Sequence, residues 1–200
     1  PIRAAQLAAG GQLALFLFAA NAIGATMLML VLAPLAPLWV LGTWAAATTA
    51  VAAIISLRRL TARDNVGARA ELRDVRSTFL EGVALGLLWA MPPLAFGALA
   101  DTRAALGLWI ILSILTTASA VALAALTLAT LSFVAIVGLS TWAALILLGA
   151  PLPALAAAIF SALLLIATYA RGRSLVVIRA TELALAERDA AVGLLLREHH

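Results

Sequence analysis

Forty-six consecutive residues, Ala104 to Gly149, carry no charged side chain. The hydrocarbon core of a bilayer is about 30 Å thick and a helix rises about 1.5 Å per residue, so about 20 apolar residues cross it. Forty-six residues are too many for one crossing and predict two. The turn between them is expected near Thr127–Ser132, where hydroxyl residues gather. The same ruler finds four more spans. Leu13–Ala33 is uncharged and stops at Pro34 and Pro37, and Leu38–Leu57 stops at Arg58 and Arg59. Phe79–Leu99 stops at Asp101, and Ala154–Ala170, entered through a turn at Pro151–Pro153, stops at Arg171 and Arg173.

The expected fold is therefore an all-α membrane protein, a six-transmembrane-helix bundle. Its spans lie at about residues 13–33, 38–57, 79–99, 104–126, 131–149 and 154–170. Composition supports lipid as the solvent: 65% of the 200 residues are hydrophobic and 11% are charged, against about a quarter charged in soluble domains. The mean hydropathy is +1.13.

The net charge of +4 comes entirely from arginine. Six arginines (Arg58, Arg59, Arg63, Arg69, Arg73 and Arg76) fall in the polar segment 58–78. With six spans, that segment shares a side with Arg3, Arg171, Arg173 and Arg179, and only Arg103 lies opposite. The positive-inside rule makes the arginine-rich side cytoplasmic. Both termini are then cytoplasmic, and the Ala-, Leu- and Arg-rich usage points to a bacterial inner membrane. Because the arginines flank apolar spans, orientation explains them and no nucleic-acid partner is expected.

Beyond Ala170 the character changes. Charges recur along 174–200 without a proline. Leu175, Ile178, Glu182, Leu185, Asp189, Val192 and Leu196 follow a 3–4 spacing over about three heptads. This predicts a cytoplasmic coiled-coil helix and a homodimer. An amphipathic helix lying on the membrane is the alternative.

Few polar residues lie within the spans. Asn21 falls near the middle of the first, where an unpaired amide is costly, so it is expected to face another helix. Glu81, at the start of the third, is expected to reach the headgroups or to pair with Arg76 or the neighbouring loop. Thr116, Thr117 and Ser119 are expected to bond back to their own helix carbonyls. With Asn21 and Glu81, Thr116 and Thr117 make up the candidates for a ligand-facing set. Pro92 and Pro93 remove backbone donors and are expected to make a kink or hinge. Gly82–Gly86 and Ala20–Gly24 are small-xxx-small steps that allow close helix approach. Trp39 suits a membrane interface, whereas Trp89 lies too deep for one and is expected between helices.

The chain holds no cysteine and no intramembrane histidine. It contains no Gly-rich phosphate loop with a lysine, no paired carboxylates and no nucleophile beside a base. No enzyme activity, metal or cofactor is expected of this region.

The Asn21-bearing first span, the arginine-rich segment 58–78 and the stretch Leu175–Glu198, above all Glu187–Glu198, resemble a known pattern. The chain resembles the N-terminal MASE-like multi-span input region of proteobacterial membrane signalling proteins. There such regions precede PAS, GGDEF and EAL domains of cyclic-di-GMP cyclases and phosphodiesterases, or a histidine kinase. The resemblance implies signal transduction: a dimeric sensor domain over 1–173 and a linker over 174–200, feeding a cytosolic output domain beyond residue 200. A small hydrophobic molecule is among the stimuli it would admit. A small transporter or channel is the alternative from another class.

Overall fold

The computed structural model describes residues 2–61, 72–122 and 127–198, and all regular structure among them is helical. The helices are α1 (Ile2–Leu32), α2 (Leu38–Thr61), α3 (Leu72–Phe96), α4 (Thr102–Ala122), α5 (Thr127–Leu147) and α6 (Pro151–Glu198), with a 3₁₀ turn at Gly97–Leu99. Each helix contains a segment long and apolar enough to cross a membrane, from Ala14–Leu32 in α1 to Pro151–Ser174 in α6.

Local chemistry sets the ends. After α1, Leu32 accepts hydrogen bonds from the backbone N–H of Leu35 and Ala36, and Pro37 accepts from Val40 and Leu41 as α2 begins. Asp101 caps α4: its Oδ1 accepts the N–H of Ala104 at 2.8 Å, and its carbonyl accepts that of Ala105. Both bonds satisfy donors that a helix N-terminus leaves free. α5 closes on Gly149, whose φ of +74° is the left-handed conformation that glycine adopts without penalty. There the N–H of Ala150 reaches Leu145 and that of Gly149 reaches Ile146, the paired bonds of a Schellman cap.

Several boundaries differ from the sequence reading. The α4–α5 connection falls within 123–126, which lie outside the described residues, and Thr127–Ser132 belong to α5. The hydroxyls there do not mark a turn, because Ser132 Oγ donates to the Ala129 carbonyl within the helix. Pro151 and Pro153 do not form a turn but open α6, since proline suits the first helical positions where no N–H partner is needed. α3 begins at Leu72, so the segment 58–78 is partly helical at both ends. Arg63, Asp64, Arg69 and Glu71 lie outside the described residues, as do His199 and His200.

The helices form two rows. α1 packs between α2 and α4, and α5 packs between α3 and α6. The rows meet where α2 faces α3 and α4 faces α5. Large aliphatic side chains point outward, among them Leu15, Leu30, Ile114, Leu139 and Leu163. Small and hydroxyl residues lie inside, including Ala25, Ala52, Thr48, Ser119, Thr130 and Ser140. Water would not tolerate so continuous an apolar surface, whereas lipid gains nothing by burying it.

Close packing runs through α5. A Cβ on Gly82 of α3 would lie 2.7 Å from Ala129 Cα and meet the Ala129 carbonyl, and one on Gly86 would lie 3.2 Å from Ile136 Cβ. A Cβ on Gly138 of α5 would lie 2.7 Å from Ser161 Cβ of α6. Gly82→Val should therefore destabilise the bundle by about 1–3 kcal/mol, the usual cost of overpacking. Gly42→Ala, with nothing within 4 Å of the new methyl, should stay within about 0.5 kcal/mol of the parent. Thermal unfolding in detergent checks both.

Candidate functional site

The most elaborate polar arrangement in the described residues ties α1, α2 and α3 together. It begins with a missing hydrogen. In a helix the N–H of residue 92 would donate to the carbonyl of Leu88, but residue 92 is proline and has none. That carbonyl is served from another helix instead: Trp44 Nε1 of α2 donates to Leu88 O at 2.7 Å. The rings of Trp44 and Trp89 meet edge to face, with centroids 5.3 Å apart and planes at 90°. This is a favoured geometry for aromatic pairs. Trp89 Nε1 in turn donates to Asn21 Oδ1 of α1 at 2.8 Å, and Asn21 Nδ2 donates back to Leu17 O at 2.8 Å.

Asn21 and Trp89 are fully buried and Trp44 nearly so. Backbone approach makes room for the large ring. A Cβ on Gly24 would lie 3.1 Å from the Trp89 ring, so only a glycine at that position admits the indole without displacement. A further tie joins α2 to α1, from Ser56 Oγ to the Ala14 carbonyl at 3.0 Å. α3 remains one helix through Pro92 and Pro93, both buried, as far as Phe96.

The other singled-out residues are not part of this node and do not meet one another. Glu81 Oε1 lies 3.7 Å from Arg58 Nη1 of α2. Arg58 belongs to the segment 58–78 named with Arg76 as a possible partner, and Arg76 lines the same cavity as Arg58 and Glu81. Thr116 Oγ1 bonds to the Leu112 carbonyl and lines a cavity of about 10 Å³ among α4, α5 and α6, room for about one water. Thr117 Oγ1 bonds to Ser113 O at 2.8 Å and lines an open groove of about 200 Å³ between α4 and α6, with Thr168 and Arg171. Ser119 departs from the expected back-bonding: it is fully buried, and its hydroxyl has no hydrogen-bond partner among the described residues. Trp39 is exposed at the start of α2.

Of the seven residues that follow the 3–4 spacing beyond Ala170, only Ile178 and Leu185 have described side chains, and both are exposed. They stand seven residues apart and so share a helix face. The side chains of Leu175, Glu182, Asp189, Val192 and Leu196 lie outside the described residues. No three His, Cys, Asp or Glu side chains gather in a metal-holding group among the described residues.

The sequence reading missed Trp44 and Ser56. A trace of the former was present, because a proline four residues after Leu88 announces an orphaned carbonyl that needs a donor. Which of five tryptophans would supply it depends on how α2 lies against α3.

Comparison with family models, with curated proteins and with solved structures gives no match.

The node makes a specific prediction about coupling. Pro92→Ala returns an N–H to the Leu88 carbonyl, so Trp44→Phe should cost less in that background than in the parent. Asn21→Leu and Trp89→Phe remove the same hydrogen bond, worth about 1 kcal/mol between membrane helices, so their effects should fall short of additive. Both cycles are read from unfolding free energies in detergent. Strict additivity in either would refute the corresponding bond.

Proposed function

We propose that this chain is a membrane-embedded sensory input region that dimerises and relays a signal through α6 to a cytosolic output domain. The observation that carries this reading is the course of α6, a single helix from Pro151 to Glu198. Its apolar part, Pro151–Ser174, accounts for about 36 Å of length, and the charged remainder continues for about as far again. A helix that leaves the bundle without a break transmits rotation or translation, which a flexible linker would dissipate.

The packing supports the same reading. The node on α1, α2 and α3 sits on the helix whose Gly82 and Gly86 press against α5. The N-terminal residue of α5, Thr127, in turn meets Gly172 of α6, where a Cβ would lie within 3.0 Å of Thr127 Cβ. Gly172 is buried at the point where α6 parts from the bundle. A small rearrangement at the node would thus reach the exit helix through rigid contacts with no slack. Relay requires two arrangements within a few kcal/mol of each other. In the dimer, Glu182 and Asp189 would set like charges together in the seam, which weakens it and brings such arrangements close. The arginine-rich side is cytoplasmic, in a bacterial inner membrane, and cyclic-di-GMP turnover is the output that best fits the family resemblance.

Three measurements bear on this. The cysteine-free chain admits single-cysteine labelling: in spheroplasts, an impermeant thiol reagent should modify Thr102→Cys and not Gly67→Cys, and the reverse pattern would invert the topology. Leu185→Cys should crosslink between protomers in membranes. With α6 fused to a diguanylate cyclase reporter, two residues inserted after Ser174 turn everything beyond by about 200°, whereas seven turn it by about 20°. The seven-residue insertion should keep the reporter's activity and the two-residue insertion should change it at least severalfold. Equal activity in both would exclude a relay through helix phase.

A further inference from the structure

Between α2 and α3, at the end where Arg58 and Arg76 lie, the two helices leave an open cavity of about 480 Å³. We propose that it is a headgroup-selective site for one anionic phospholipid. The inference rests on the reading that these helices cross a bilayer.

The placement of charge points to a phosphate. Arg58 ends the apolar segment of α2 and Arg76 begins that of α3. Because the chain runs out along one helix and back along the other, both guanidiniums sit at the same membrane boundary, the level of lipid phosphates. Ser77 and Glu81 complete the polar mouth. Glu81 lies 3.7 Å from Arg58, and among the described lining residues two arginines face one carboxylate. A separation of that length is an ion contact longer than a hydrogen bond. Arg58 is 67% exposed, and its planar fork matches a phosphodiester in a bidentate way.

The walls below the mouth fit an acyl chain. On α2, Arg58, Ile54 and Val51 descend one helix face at steps of four and three residues, and on α3, Arg76, Leu80 and Ala84 do so at steps of four. Each stripe runs about 10–12 Å from the phosphate level into the hydrocarbon. A charged entrance above two converging apolar stripes is the shape of a lipid, headgroup first. A soluble phosphate would leave the stripes uncovered. A zwitterionic lipid would bring its own cation to a site already positive. Basic pockets between membrane helices on the cytoplasmic side are known to take acidic headgroups.

The test uses the purified chain in detergent, offered phosphatidylglycerol or phosphatidylcholine with identical oleoyl chains, with retained lipid counted by native mass spectrometry. Phosphatidylglycerol should be retained in preference. Arg58→Gln and Arg76→Gln should each lower that preference by about fivefold, the share of one arginine at a membrane surface. Glu81→Gln should preserve or raise it. Arg173→Gln removes the same charge from exposed α6, in the other row, and should leave the preference unchanged. Arg58→Gln also breaks the pair with Glu81; if that variant does not fold, Arg76→Gln decides alone. Equal retention of the two lipids, or an equal loss from Arg173→Gln, would overturn the site in favour of general surface attraction. Flotation of the parent with phosphatidylcholine vesicles is read separately: failure there removes the membrane reading itself, whereas flotation without selectivity removes only the lipid site.

Discussion

A polar group enclosed by membrane helices has no water to fall back on, and the centre of this bundle is organised by meeting that demand at one place. Pro92 deprives the Leu88 carbonyl of its helical donor, and Trp44 supplies another from α2. The indole that does so lies edge-on to Trp89, whose own N–H is taken by Asn21 of α1. Three helices are held by two indoles, one amide and one orphaned carbonyl. Each hydrogen bond is worth only about 1 kcal/mol net between membrane helices. Leaving any of these buried groups unpaired costs more than that, about 1–3 kcal/mol. The node therefore acts chiefly by excluding other packings of α1, α2 and α3.

Around the node, association depends on closeness. Apolar surface gains nothing by leaving lipid, so the helices hold together through dispersion at short range and through hydrogen bonds. This explains why glycine stands at the tightest crossings: Gly24 against Trp89, Gly82 against Ala129, Gly138 against Ser161 and Gly172 against Thr127. Three of these four crossings involve α5, which is the most enclosed of the six apolar segments, half of it buried. α6 is the least enclosed. A helix gripped at a few glycine contacts and otherwise little enclosed is well placed to shift as a rigid rod.

Much of the fold was legible because hydrocarbon thickness imposes a length on every crossing. Six apolar segments could be counted from charge-free runs, their lengths and the prolines that divide them, and the pairing of Gly82 with Gly86 marked a close approach before its partner was known. Boundaries were less legible. Thr127–Ser132 looked like a turn because hydroxyl residues favour turns in water, yet in a buried helix Ser132 bonds to a carbonyl three residues back and stays helical. Pro151 and Pro153 looked like a turn for a similar reason, although proline is equally at home at a helix start. Which arginine of the segment 58–78 Glu81 reaches depended on how α2 lies against α3.

By itself the sequence determined the helical class, the number of apolar segments, the clustering of arginine at their ends and the presence of a missing donor at Pro92. All of these follow from local properties: hydropathy over about 20 residues, charge position and the chemistry of one imino acid. Which helix answers Leu88, that Asn21 meets Trp89, and that Arg58 and Arg76 converge on one groove were decided only by the tertiary structure. The reason is that side chains distant in sequence meet according to the rotation of each helix about its axis. That rotation is set by the close contacts of many small residues, and a chain so rich in alanine and glycine offers many such contacts.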